Sequence, residues 1–214
     1  MPLLVEIWSD VICPWCYIGK RRFERALPSF DHADEVQVVW RSYELDPRAP
    51  RRREGDPVER LARKYGLSVD QARAAQQRIT RLAAAEGLEY RLDRAVGGNT
   101  LDAHRLVHHA QAGGAGDAMK ERLLRAHLVE AQPIGDPTVL ARLAGEVGLD
   151  PGEVEELLAG EDLADEVRAD ERRAVELEVT GVPFFLFDGR MAIPGAQDPE
   201  LYVRVLQRAW STAA

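Results

Sequence analysis

Strand-like sequence is confined to the two ends of this 214-residue chain, and that limits the fold more than any other feature. The run Leu3-Leu4-Val5-Glu6-Ile7-Trp8 is short, apolar and rich in β-forming residues, which predicts a buried strand. Glu35 to Glu44 alternates well enough for a second strand. Between them Ile18, Phe23, Ala26, Leu27 and Phe30 recur at roughly helical spacing. This strand–helix–strand start implies a parallel pair. At the far end, two short apolar runs flank Asp188-Gly189, a strong hairpin signal. A last helix from Asp198-Pro199 to Trp210 follows, with Leu201, Val205 and Leu206 as its buried face. Each end is too small to be stable alone and presents unpaired strands. The expectation is one mixed α/β sheet of β-α-β … β-β-α order. Residues 1–45 and 163–214 then form a discontinuous domain, and 46–162 an inserted all-helical one.

The intervening stretch is punctuated by helix openings. Asp56-Pro57, Asp136-Pro137 and Asp150-Pro151 each join a capping residue to a proline suited to the first turn. Ser68 with Gln71 makes a capping box, and Val69, Ala72, Ile79 and Ala83 form one stripe of the helix that follows. Asn99-Thr100 opens a helix with the stripe Ala103, Leu106/Val107 and Ala110, and either residue can cap it. Leu45 to Pro57, with its prolines and the cluster Arg51 to Arg53, reads as a solvated surface loop.

The only two cysteines, Cys13 and Cys16, stand three apart where the first strand gives way to the first helix. Such a pair is a dithiol/disulfide centre or half a metal site. The helix N-terminus favours thiolate over thiol. Structural zinc needs four ligands, and no third cysteine exists, although His104 and His108 share a helical face and are candidates to complete a site. Pro14 and Trp15, between the thiols, carry no charge, so the helix terminus and backbone N–H groups are expected to dominate their tuning. His108, His109 and His127 read as scaffold or surface.

A net charge of −8 argues against nucleic acid as a partner reached by general electrostatics. The N-terminus has no basic segment or long apolar core of a secretory signal, and no run reaches membrane-spanning length, so the expectation is cytoplasmic with no membrane partner. No nucleotide or flavin motif is visible.

Several motifs together resemble the DsbA family of thioredoxin-like oxidoreductases, in its FrnE-type branch, related to the 2-hydroxychromene-2-carboxylate isomerases and kappa-class glutathione transferases. They are Asp10-Val11-Ile12-Cys13-Pro14-Trp15-Cys16-Tyr17-Ile18-Gly19, Asn99-Thr100 with Ala103-His104, and Thr180-Gly181-Val182-Pro183-Phe184-Phe185 followed by Gly195-Ala196-Gln197. The resemblance spans essentially the whole chain. It implies a thioredoxin-like fold with a helical insertion and thiol–disulfide exchange, with Cys13 as nucleophile and Cys16 as resolving thiol. Pro14, Trp15 and a cis Pro183 would tune the site. Thr180, Val182, Asn99 and His104 would meet substrate. The implied partner is a protein or small-molecule thiol or disulfide. No metal or cofactor is implied beyond the redox-active cysteine pair, with glutathione as a co-substrate to consider. A homodimer through the last helix is a further expectation. Where better-known DsbA members have histidine this chain has Trp15, which removes one source of strong oxidising power. A glutathione-dependent isomerase and a non-catalytic binding module or chaperone are the rival readings.

Overall fold

The computed structural model describes residues 2–213. Strand β1 (Leu3–Ser9) leads through a turn into helix α1 (Pro14–Ala26), and β2 (Val36–Ser42) returns parallel to β1, Leu3 opposite Val36 and Ser9 opposite Ser42. Far along the chain, β3 (Phe184–Phe187) pairs antiparallel with β1, and β4 (Met191–Pro194) antiparallel with β3. Both ends of the sequence thus build one mixed sheet of order β2-β1-β3-β4, the arrangement of a thioredoxin-like fold. Asp188 and Gly189, with φ of 50° and 67°, are the left-handed central pair of the β-turn closed by Arg190 N–H to the Phe187 carbonyl at 3.0 Å, within the three-residue hairpin loop.

Period-two alternation decides what each face of the sheet meets. Val5, Ile7, Phe185 and Phe187 point to one side, into a core shared with Phe23 of α1 and Tyr202 of the last helix, α9 (Pro199–Ala213). The Phe23, Phe185 and Tyr202 rings meet there at centroid distances of 4.8 to 5.6 Å. Trp8 and Leu186 point to the other side, against Ala174 and Val179. Trp8 Nε1 donates to the Asp170 carbonyl at 2.9 Å. The buried face of α9 is Tyr202, Leu206 and Ala209, with Leu201 and Val205 half-buried on its flanks. The expected face is therefore rotated, because the Tyr202 ring fills the gap between Phe23 and Phe185.

The helical stretch contains α2 (Pro57–Tyr65), α3 (Val69–Ala85), α4 (Leu101–Ala112), α5 (Gly116–Leu128), α6 (Pro137–Glu146), α7 (Pro151–Ala159) and α8 (Ala164–Glu176). Asp56, Asp136 and Asp150 cap their helices, and Ser68 and Gln71 form the reciprocal capping box. At α4 the cap belongs to Asn99, whose side-chain oxygen accepts the Leu101 N–H at 2.9 Å, while Thr100 makes no side-chain cap. Val69 is solvent-exposed instead of joining the α3 stripe, which rests on Ala72, Ile79 and Ala83. Residues of α4 to α7 share one continuous core with the sheet.

Two sets of contacts fix the elements that matter for the site. Helix α1 is tied to α5 by Tyr17, whose hydroxyl donates to Glu121 at 2.5 Å, and by Lys20 with Asp117 and Glu121 at 3.2 Å. It is tied to the end of α3 by Arg22 and Arg25, which share Glu86 at 2.7 and 2.8 Å. The basic loop is not simply solvated. The Arg51 carbonyl is gripped between Gly98 and Gly135, where a Cβ at either position would lie 2.3 or 2.1 Å from it. Arg53 N–H donates to Gly97 O at 2.7 Å, and Arg53 pairs with Asp46.

Candidate active site

The thiols sit where β1 ends and α1 begins. Cys13 is the N-cap residue of α1, extended at φ −83° and ψ 115°, and Pro14 takes the first helical position, where its missing N–H leaves nothing unpaired. The Cys16 N–H donates to the Cys13 carbonyl at 3.0 Å. Both cysteines are nearly buried, Cys13 4 % and Cys16 1 % exposed. Tyr90, before α4, donates its hydroxyl to the Pro14 carbonyl at 2.6 Å and stacks on Tyr17, which pins the segment between the sulfurs. The Val182–Pro183 peptide is cis, and the Cys13 thiol donates to the Val182 carbonyl at 3.5 Å. A Cβ on Gly19 would lie 2.8 Å from Pro183 Cγ, so a glycine is what lets α1 approach this loop.

Behind the sulfurs lies a closed polar layer. Asp10 is fully buried; its carboxylate accepts the Leu45 N–H at 2.7 Å and lies 3.4 Å from His104 Nε2. Burial alone would raise its pKa, but the His104 ring, the Leu45 N–H and the Lys120 charge bring it below the ordinary carboxylate value. Lys120, on α5, is also fully buried and donates from Nζ to the Ser9 carbonyl at 3.0 Å. Burial pulls its pKa down to about 8, against the opposing pull of the thiols and of Asp10.

This layer acts on the cysteines, which ionise as a pair. Burial pushes the Cys16 thiol up, but the Cys13 thiol, the nearby Ser9 hydroxyl and the Lys120 charge outweigh it and bring the pKa down. The Cys13 thiol goes up, through its partnership with Cys16 and through burial. The first proton therefore leaves the pair more easily than from a free thiol, and the second with more difficulty. The expectation that no cation tunes the thiols is thus corrected: Lys120 does so from a distant part of the chain. Its signal is its place in α5, four residues from both Gly116 and Leu124, all three buried on one face.

In front of the sulfurs the surface is open and apolar. A groove of about 970 Å³ runs from Cys13, Trp15, Thr180 and Val182 to the α2–α3 helical pair, where Leu61, Tyr65, Leu67 and Ile79 form its wall. Trp15 stands at the rim, 41 % exposed. His127 also belongs to the lining, although buried, and burial lowers its pKa to about 4, so the ring is neutral at pH 7. Its position, four residues beyond Leu123 on the buried face of α5, is the pattern that sets it apart from a surface histidine.

The other residues singled out in the sequence fall elsewhere. Asn99 does not line the groove; its amide holds the Pro47 carbonyl at 3.2 Å in addition to its capping role. His104 is fully buried beside Asp10 and offers nothing to the groove, because Asp10 and the thiols lie between. His108 Nε2 faces Asp170 at 3.0 Å and Ser42 at 3.1 Å, so the two histidines do not converge with the thiols on a metal. Among the described residues no group of three or more His, Cys, Asp or Glu is arranged to hold a metal ion, and no helix is long and apolar enough to cross a membrane.

This architecture has known relatives. A probable DsbA oxidoreductase from Streptomyces coelicolor is 44 % identical and superposes with a TM-score of 0.93, covering 98 % of this chain and 90 % of that one. The uncharacterized protein YwbO of Bacillus subtilis is 29 % identical over 208 residues, 96 % of each chain. The cytosolic disulfide reductase DsbM from Pseudomonas aeruginosa, 22 % identical, shares the fold with a TM-score of 0.66 over 98 % of this chain and 99 % of that one. Residues 4–207 match the family model described as the DSBA-like thioredoxin domain, and the chain belongs to that oxidoreductase family.

Proposed function

We propose that this protein is a thiol–disulfide oxidoreductase working through Cys13 and Cys16. The observation that carries the reading is the placement of two cysteines three apart at the start of α1, one of them bordering an open groove beside the Val182 carbonyl. When the pair is singly ionised, one proton is shared between the two sulfurs. As a disulfide enters the groove that proton rests on Cys16, and the Cys13 thiolate attacks the nearer substrate sulfur. A Cys13–substrate disulfide forms and the substrate S–S bond breaks, releasing one thiolate that takes up a proton. Cys16 then gives up its proton and attacks Cys13, forming the Cys13–Cys16 disulfide and releasing the second thiol. Two electrons pass from the protein to the substrate, with one proton from the cysteine pair and one from solvent, and the reverse sequence oxidises a dithiol. A small thiol such as glutathione is the co-substrate that returns the protein to its reduced form, and no metal or further cofactor takes part.

The α1 N-terminus and Lys120 both favour the anion that this chemistry needs. Trp15 adds no charge, so these two are the main influences on the poise. The backbone at Val182 offers a substrate strand a carbonyl next to the reacting sulfur. The test is the reduction of insulin disulfides by purified protein with glutathione as reductant. Cys13→Ser is expected to abolish turnover, and Cys16→Ser to stall as a mixed disulfide visible by mass spectrometry. Full turnover by Cys16→Ser would point to a glutathione adduct or isomerase chemistry instead, and no reaction with any disulfide would sink the reading.

A further inference from the structure

The groove in front of Cys13 has two properties that together select a ligand. Its walls are apolar, and the charged side chains of its lining are Arg60 and Arg78, with no carboxylate among them, on a protein whose net charge is −8. Arg60 is not neutralised by a partner carboxylate in contact. Its guanidinium is held by backbone carbonyls, Glu54 O at 3.2 Å, Ala95 O at 3.1 Å and Gly55 O. Asp56, whose charge reaches it, spends its side-chain oxygen on the Val58 and Glu59 N–H groups at the start of α2.

Arg60 also borders a second, adjoining hollow of about 420 Å³, where Arg52, Arg53 and Arg94 gather with Glu54 and Asp93. Arginines outnumber carboxylates there. The loop that presents Arg52 has its backbone anchored by the clamp on the Arg51 carbonyl and by the Arg53–Gly97 hydrogen bond, while Arg53 itself is paired with Asp46. The positive end of the groove is therefore built into the fold.

The sulfur sets the second limit. Cys13 is 4 % exposed on the groove floor, while Trp15 and Tyr65 at its borders are 41 % and 61 % exposed. Access to that sulfur between these borders favours a slender disulfide over one set in a broad folded surface. A narrow, elongated molecule can enter.

We infer that the groove takes a small-molecule disulfide with an apolar body and an anionic end, the disulfide at Cys13 and the anion at Arg60 and Arg78. This rests on the disulfide-exchange reading and names the substrate class of that same site. A carboxylate and a phosphate have the same claim on these arginines. The step is the exchange already written: the substrate S–S bond is reduced to two thiols while the protein dithiol becomes the Cys13–Cys16 disulfide.

The test is a single-turnover reaction of the reduced protein with an aromatic disulfide carrying a carboxylate on each ring and with its neutral dipyridyl counterpart. Both release a coloured thiol. The readout is the ratio of the two rates, which cancels damage common to both. Arg78→Gln is expected to lower the ratio about threefold, Arg78→Glu further, and Arg78→Lys to restore it, since Arg78 is solvent-exposed and its charge is partly screened. Arg60→Gln is expected to act in the same direction and Arg60→Lys to keep most of the preference. A parallel arm with coenzyme A disulfide distinguishes phosphate from carboxylate, the better substrate being the one whose rate depends more strongly on Arg78. Raising the salt concentration should shrink the wild-type ratio. If wild type reacts with both disulfides and no arginine variant changes the ratio, the inference is overturned and disulfide exchange stands. If wild type reacts with neither, exchange itself fails and this inference with it.

Discussion

The two sides of the cysteine pair differ in every physical respect. In front, the groove is open, apolar and edged with arginine. Behind, Asp10, His104 and Lys120 are sealed from water and charged or polar. The front is assembled from α2, α3 and the Thr180–Val182 loop, and the rear from the end of β1 with α4 and α5. Charge in water is screened, whereas buried charge acts at full strength on a neighbouring sulfur. The rear therefore governs how readily the pair ionises, and on the proposed function the front selects which disulfide reaches it.

Substitutions that touch one side alone can break this division. The largest effect is expected from Asp10→Asn, which removes the carboxylate that faces Lys120 and His104 in the sealed layer. A loss of about 3 kcal/mol of unfolding free energy in denaturant titration is expected, the scale of breaking a buried charge pair. Because the folded pKa of Asp10 is depressed, its contribution is present above the ordinary carboxylate pKa and disappears as pH falls through the lowered value. Wild type should therefore lose more stability than the variant in strong acid, and a variant as stable as wild type at pH 7 would refute the role assigned to the rear layer. Gly19→Ala comes next, at roughly 2 kcal/mol, since the new Cβ meets Pro183 at 2.8 Å and α1 or the loop must shift. This change should also raise KM, because the Val182 carbonyl moves with the loop, and an unaltered KM would show the groove to be independent of that contact.

Lys120→Met sharpens the comparison by removing a cation behind the thiols. The first ionisation of the pair should move up by about one pH unit, about 1.4 kcal/mol, read from the pH dependence of thiol alkylation. Lys120 itself loses charge above about pH 8, so variant and wild type should converge at higher pH. A shift in substrate preference with an unmoved thiol pKa would reverse the assignment of sides. The smallest effect belongs to Trp15→Ala at the rim, expected to raise KM about threefold for an apolar disulfide while the thiol pKa stays where it is.

The front–rear contrast also marks what could be read without coordinates. Strand alternation, the capping residues and the Asp188-Gly189 turn are local signals, and they placed the β-α-β start, the hairpin and most helix openings. The Cys13-Pro14-Trp15-Cys16 spacing alone leaves a dithiol centre and half a metal site open, and its place between a strand and a helix favours the first. The rear layer was harder to see, because Lys120 lies 104 residues beyond Cys16 and only the docking of α5 on α1 brings it there. A lysine on an otherwise apolar helical face was the available sign. His104 was legible as important and not in its direction, since its ring turns to Asp10, distant in sequence, and α4 contributes nothing to the groove lining. The Arg51–Arg53 cluster reads as a solvated loop until the Gly98 and Gly135 contacts appear, and close backbone approach between distant segments leaves no periodic trace.

The α2–α3 pair that walls the groove has only a small core of its own, Val58, Ala62 and Ala72 with Leu61 beside them. The sheet is embedded in a far larger one. Ile79 and Ala83 tie the second half of α3 to the core around the cysteines, so α2 and the start of α3 open at lower cost than the strands, and their amides are expected to exchange with solvent well before those of β1 and β3. Fluctuation of that wall widens the way to Cys13, which joins the local stability of two short helices to the residence time of whatever the groove holds. Ligand in the groove should in turn slow deuterium uptake across residues 57–85.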